Sequence, residues 1–117
     1  MARFSTHVLD TSRGKPAAGV VVALTFLDGG ERRLLATTVT NAEGRTDAPL
    51  FAGDRLEVGV YELTFRVGDY FSRSGVAVSS PPFLSDIVVR VGVAEPTGHY
   101  HVPLLLAPYG YSVYRGS

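Results

Sequence analysis

Gly59-Val60-Tyr61-Glu62-Leu63-Thr64-Phe65-Arg66-Val67 decides how this chain folds. Val60, Glu62, Thr64 and Arg66 fall on one parity; Tyr61, Leu63, Phe65 and Val67 fall on the other. A side-chain repeat of two residues is a strand with one wet face and one buried face. Working toward the N-terminus, Arg32–Thr40 predicts a strand stopped by Asn41-Ala42-Glu43-Gly44. Gly19–Leu27 predicts its hairpin partner, turned by Asp28-Gly29-Gly30. Phe4–Asp10 predicts a first strand that ends in a turn-rich run through Pro16, and Arg45–Leu50 predicts a very short edge strand. Toward the C-terminus, Gly68–Gly75 is the one place for a short helix, and Ser79-Ser80-Pro81-Pro82 reads as a loop. Phe83–Val91, Tyr100–Leu106 and Tyr111–Tyr114 predict the closing strands, with a loop over Val93–Gly98 and a turn at Ala107-Pro108-Tyr109-Gly110. Short strands at roughly ten-residue spacing predict an all-β, two-sheet sandwich.

The chain has 117 residues, enough for a single domain over 1–117 and too few for a cleft between two lobes. Eleven basic residues balance eleven acidic ones, so no global field grips a phosphate backbone and no nucleic-acid partner is expected. Cysteine is absent, which excludes disulfides, a thiol nucleophile and cysteine-ligated metal centres. Lys15 is the sole lysine. The longest apolar runs, Ala17–Phe26 and Val102–Ala107, fall far short of the roughly 20 residues that cross a bilayer. No export signal opens the chain, and a mature cytoplasmic protein is the expectation.

Chemistry has few candidates. The histidines are His7, His99 and His101. His99 and His101 share one face of a strand and could chelate a metal, but two ligands make a poor site, and no metal is expected. There is no phosphate-cradling glycine loop and no nucleophile elbow. Strand parity says more. Ser5, His7 and Leu9 share a face of the first strand; His99, His101, Pro103 and Leu105 share a face of the penultimate one; Ser112 and Tyr114 share a face of the last. Such faces read as a groove or a subunit contact. His7 is either a histidine satisfied by a backbone carbonyl or an acid–base group matched to physiological pH. Arg45, just after Gly44, reads equally well as a solvated loop arginine, and Tyr114-Arg115-Gly116-Ser117 as a frayed end.

Four stretches resemble the 5-hydroxyisourate hydrolase family, the transthyretin-related enzymes of purine breakdown. They are Ser5-Thr6-His7-Val8-Leu9-Asp10, Gly14-Lys15-Pro16-Ala17, Asn41-Ala42-Glu43-Gly44-Arg45-Thr46, and the run from His99 to Ser117. The closing Tyr114-Arg115-Gly116-Ser117 is the most specific of these, because the hormone carrier transthyretin lacks it. Val113 and Ala107 depart from the family's usual Thr and Ser, and Val93–Gly98 is atypical.

The resemblance implies a transthyretin-like sandwich of two four-stranded sheets with one short helix over Asp69–Ser74. It implies a homotetramer, a dimer of dimers with active sites in the channel between dimers. His7, Leu9, His101, Pro103, Leu105, Ser112 and Tyr114 would point into that channel. The implied reaction is metal-independent and cofactor-free ring opening of 5-hydroxyisourate to 2-oxo-4-hydroxy-4-carboxy-5-ureidoimidazoline by activated water. His7 would activate the water, Arg45 would bind ring carbonyls and stabilise the oxyanion, and His101 would hold substrate or relay a proton. Tyr114, Arg115, Gly116 and Ser117 would close the site, Ser117 orienting a histidine or the water through its hydroxyl or carboxylate. Two rivals are a carrier using the same channel without chemistry and a monomeric structural sandwich module.

Overall fold

The computed structural model describes residues 1–76 and 78–117. In chain order the elements are β1 (Ala2–Asp10), β2 (Lys15–Pro16), β3 (Val21–Asp28), β4 (Glu31–Val39), β5 (Phe51–Gly53), β6 (Gly59–Phe65), α1 (Val67–Ser74), β7 (Ile87–Val93), β8 (His99–Ala107) and β9 (Gly110–Val113). The first sheet runs β2-β1-β8-β9, with β5 also pairing to β1; the second runs β4-β3-β6-β7. The expected four-plus-four sandwich is therefore present with a three-residue addition, β5, laid against Ala2–Phe4.

Alternation makes the core. Phe4, Thr6, Val8 and Asp10 of β1 face inward, as do Tyr61, Leu63 and Phe65 of β6 and Tyr100, Val102, Leu104 and Leu106 of β8. The inward polar groups all find partners. Thr6 Oγ1 donates to the Val102 carbonyl at 2.6 Å. Asp10, fully buried, accepts from the Tyr70 hydroxyl at 2.6 Å, from the Ser12 hydroxyl at 2.6 Å and from the Ser12 amide at 3.0 Å. Burial, and after it the bond to Asp10, pushes the Tyr70 phenol up from its ordinary range. Asp10 thus ties α1 to the end of β1. On the outer face of the second sheet Glu62 lies nearly buried between Arg32 and Arg90, from β4 and β7.

Two predicted strands are shifted. Phe83–Asp86 does not enter the sheet; β7 starts at Ile87 and runs on to Val93. The Ser85 carbonyl instead accepts the Gly68 amide at 2.7 Å, which ties this stretch to the start of α1. Arg45–Leu50 is a loop, with the short strand falling later at Phe51–Gly53. Asn41 explains this: its side-chain oxygen accepts the amides of Glu43 at 2.9 Å and Arg45 at 3.2 Å, and its own amide donates to the Arg45 carbonyl at 2.7 Å. A loop closed on itself by an Asx interaction leaves no free ladder for Arg45 to join.

Gly44 pins that loop to β1. Its carbonyl accepts the Val8 amide at 2.8 Å, its φ is +76°, and a Cβ there would run into the Val8 carbonyl oxygen. Gly44→Ala combines a left-handed backbone with a backbone clash, and should lower stability by about 2 kcal/mol or more in chemical denaturation. It should also displace Arg45. A variant as stable as the parent would show that the loop has room to give.

Candidate active site

β1 and β8 are parallel neighbours whose register sets Arg3 beside His99, Ser5 beside His101 and His7 beside Pro103. Both strands turn these odd-numbered residues away from the core. A cavity of about 310 Å³ opens on that face, lined by Arg3, Ser5, Arg45, His99, His101 and Ser117 among others. Asp47 contributes the one carboxylate side chain of the lining, and it takes a hydrogen bond from Asn41 Nδ2 at 3.0 Å. Arg3 and Arg45 bring the positive charge of the lining.

His101 is half-buried and held on two sides. Ser5 Oγ lies 2.8 Å from its Nδ1. On the other side, the Gly116 amide donates to the His101 carbonyl at 2.7 Å, so the tail pairs with β8 at this residue. Burial first, then the charge of Arg45, that of His7 whenever its ring is protonated, and that of Arg3, hold the His101 imidazole below its ordinary 6.5. The ring is therefore neutral near pH 7. The unfolded chain protonates this histidine near 6.5. Its contribution to stability is full above that pH and is lost as pH falls toward the depressed folded value. Arg3→Gln removes one of the repelling charges and should move the His101 titration upward, measured by NMR. An unmoved titration would remove Arg3 from this field.

His7 sits beside the cavity rather than on its lining. It is two residues along β1 from Ser5, about 7 Å at strand spacing. Its Nε2 lies 2.9 Å from the Glu43 carbonyl oxygen. A carbonyl only accepts, so Nε2 carries the hydrogen, and in the neutral ring Nδ1 holds the lone pair. The nitrogen able to take a proton is thereby fixed.

The structure brings Arg45, His101, Gly116 and Ser117 together, with His7 alongside. Tyr114 and Arg115 face elsewhere within one chain. They line a separate hollow of about 370 Å³ with Val89, Val91 and Val113 of the open sheet edges. The Arg115 guanidinium stacks 4.3 Å above the Tyr100 ring and donates to the His99 carbonyl at 3.2 Å. Arg115 thus anchors the tail from outside the cavity. Ser5, Arg3 and Asp47 line the site without having been singled out from the sequence. Parity puts Ser5 on the His7 face, but its meeting with His101 depends on a parallel register that parity cannot supply.

The pattern of the HIUase/Transthyretin family matches residues 4–116. This chain belongs to that family. Among its relatives, 5-hydroxyisourate hydrolase of Halalkalibacterium halodurans is 57% identical over 98% of both chains. The protein of the same name from Pseudomonas aeruginosa is 47% identical, covering all of this chain and 93% of its own. Solved structures place the fold in the same family. Klebsiella pneumoniae 5-hydroxyisourate hydrolase superposes with a TM-score of 0.82 at 40% identity over the full length of both. Sparus aurata transthyretin superposes with a TM-score of 0.85 at 28% identity, covering 97% of this chain and 96% of its own. An (S)-allantoin synthase reaches a TM-score of 0.92 at 42% identity, and there this chain spans only 44% of the longer polypeptide. The family's fold is thus shared by proteins with different names, and the residues around the cavity must carry the distinction.

Proposed function

We propose that this protein hydrolyses 5-hydroxyisourate to 2-oxo-4-hydroxy-4-carboxy-5-ureidoimidazoline, a step of urate breakdown. The observation that carries the reading is the meeting of Arg45, His101 and Ser117, remote in sequence, around one cavity sized for a small heterocycle. The identity of about half with relatives named for this activity supports it, against 28% with transthyretin.

The chemistry follows from the groups. Water attacks a ring carbonyl while His7 Nδ1 takes its proton. Negative charge then gathers on the carbonyl oxygen, where the Arg45 fork and the neutral His101 ring stabilise it. When the C–N bond breaks, the proton held on His7 returns to the departing ring nitrogen, so no net proton is consumed in that step. Gly116 and Ser117 cover the His101 side of the cavity. Tyr114 and Arg115 contribute by fixing the tail that carries them.

The working unit is a dimer of dimers in this reading, with the cavity completed where two subunits face each other. The cavity is open in one chain, β9 is exposed along its whole length, and Tyr109, Tyr111, Val113 and Tyr114 leave apolar surface uncovered. A cytoplasmic setting suits a chain without cysteine. No helix among the described residues is long and apolar enough to cross a membrane.

Generating 5-hydroxyisourate in place from urate with urate oxidase, and following its ultraviolet decay, tests the reading. Decay should quicken in proportion to added protein. Decay at the spontaneous rate would refute it.

A further inference from the structure

Among the described residues, the Ser5 hydroxyl has one hydrogen-bond partner, Nδ1 of His101 at 2.8 Å. We propose that Ser5 is a positioning residue whose hydroxyl donates to Nδ1 of His101, so that the neutral ring carries its hydrogen on Nε2 and offers that N–H to the substrate. This deepens the ring-opening reading and rests on it for its kinetic consequence alone.

The argument begins with inventory. A serine hydroxyl has one hydrogen to give, and a half-buried hydroxyl gives it to the acceptor within reach. Here that acceptor is Nδ1. A neutral imidazole that accepts at Nδ1 must be protonated at Nε2. The rest of the ring is equally constrained. A Cβ on Gly116 would lie 2.7 Å from His101 Cδ2 and 3.3 Å from Pro103 Cγ, so the tail already rests on that edge. Ser5 and Gly116 therefore grip the ring from β1 and from the tail.

The consequence is a division of labour. The Glu43 carbonyl sets His7 as a proton acceptor through Nδ1. Ser5 sets His101 as a hydrogen-bond donor through Nε2. One imidazole can then take the water's proton while the other steadies the oxygen on which charge develops. The two rings are thereby made unequal by their outer partners.

The test compares the unaltered protein with Ser5→Ala and Ser5→Thr, reading both histidine rings by nitrogen-15 NMR near pH 7.5 and kinetics on 5-hydroxyisourate. In the unaltered protein, His101 should show its pyridine-type signal on Nδ1 and its pyrrole-type signal on Nε2. Ser5→Ala should bring the two signals toward their exchange average, leave the His7 pair unmoved, and cut kcat about tenfold with little change in KM. Ser5→Thr, which keeps the hydroxyl, should restore both. A hydrogen on Nδ1 of His101, or His101 signals unchanged in Ser5→Ala, would overturn the proposal. Should the unaltered protein open no ring while His101 still loses its signature in Ser5→Ala, the reaction falls and the Ser5 assignment stands.

Discussion

His7→Ala is expected to slow 5-hydroxyisourate ring opening by about 10²- to 10⁴-fold, the usual contribution of a positioned acid–base group. The fold should barely notice. His7 lies on the outer face of β1 and makes one hydrogen bond, to the Glu43 carbonyl, at the surface. Losing such a bond costs about 1 kcal/mol or less. The loop above it remains pinned by Gly44 and Asn41. Steady-state rates and a thermal melt on the same preparation separate the two effects. His7→Gln serves as a partner variant, since its amide can still donate to Glu43 but has no nitrogen lone pair at neutral pH. It should be as slow as His7→Ala. Turnover within about threefold of the parent in both variants would remove His7 from proton transfer.

Asp10→Ala should produce the largest loss of stability of any single change at a polar residue. Asp10 is fully buried and receives three hydrogen bonds, two from Ser12 and one from Tyr70. Truncation leaves the Tyr70 hydroxyl without its acceptor inside the protein, and it frees the turn after β1. The expected cost is about 3–5 kcal/mol, or a melting temperature lower by about 15 °C for a domain of this size. Tyr70→Phe removes the hydroxyl together with its need for a partner, so it should cost much less. Equal losses in the two variants would mean that the Tyr70 bond carries the whole effect of Asp10 and its turn bonds none. The cavity lies toward the other end of β1, so residual folded Asp10→Ala protein should keep its activity per folded molecule.

Much of this was legible before any coordinates. The alternation of β6 and the opposed faces of β1 and β8 follow from side-chain parity, and the core obeys them, with Glu62 and Pro103 covered on the outer faces. Of the two readings of His7, the structure shows the backbone one: Nε2 is satisfied by the Glu43 carbonyl, and that bond leaves Nδ1 free to accept a proton. Other features depend on interactions that a local pattern does not contain. Phe83–Asp86 has strand-like composition, yet a carbonyl in it is taken by α1. Arg45–Leu50 has a short-strand pattern, yet Asn41 folds its start into a closed loop. The family resemblance puts Tyr114 on the channel face, and within one chain it lines the hollow at the sheet edge, where Arg115 stacks on Tyr100. Ser5 gained a role only when the β1–β8 register set it beside His101.

That register also has a consequence in time. Residues 3–10 have their ladder partners at residues 99–106, so β1 must wait for β8. During synthesis the nascent chain can close the β3–β4 hairpin and then the β6–β7 pair early, because these partners are nearer in sequence than β1 and β8. The cavity beside His101 belongs to the other sheet, and its floor comes into being only after the ribosome has delivered β8.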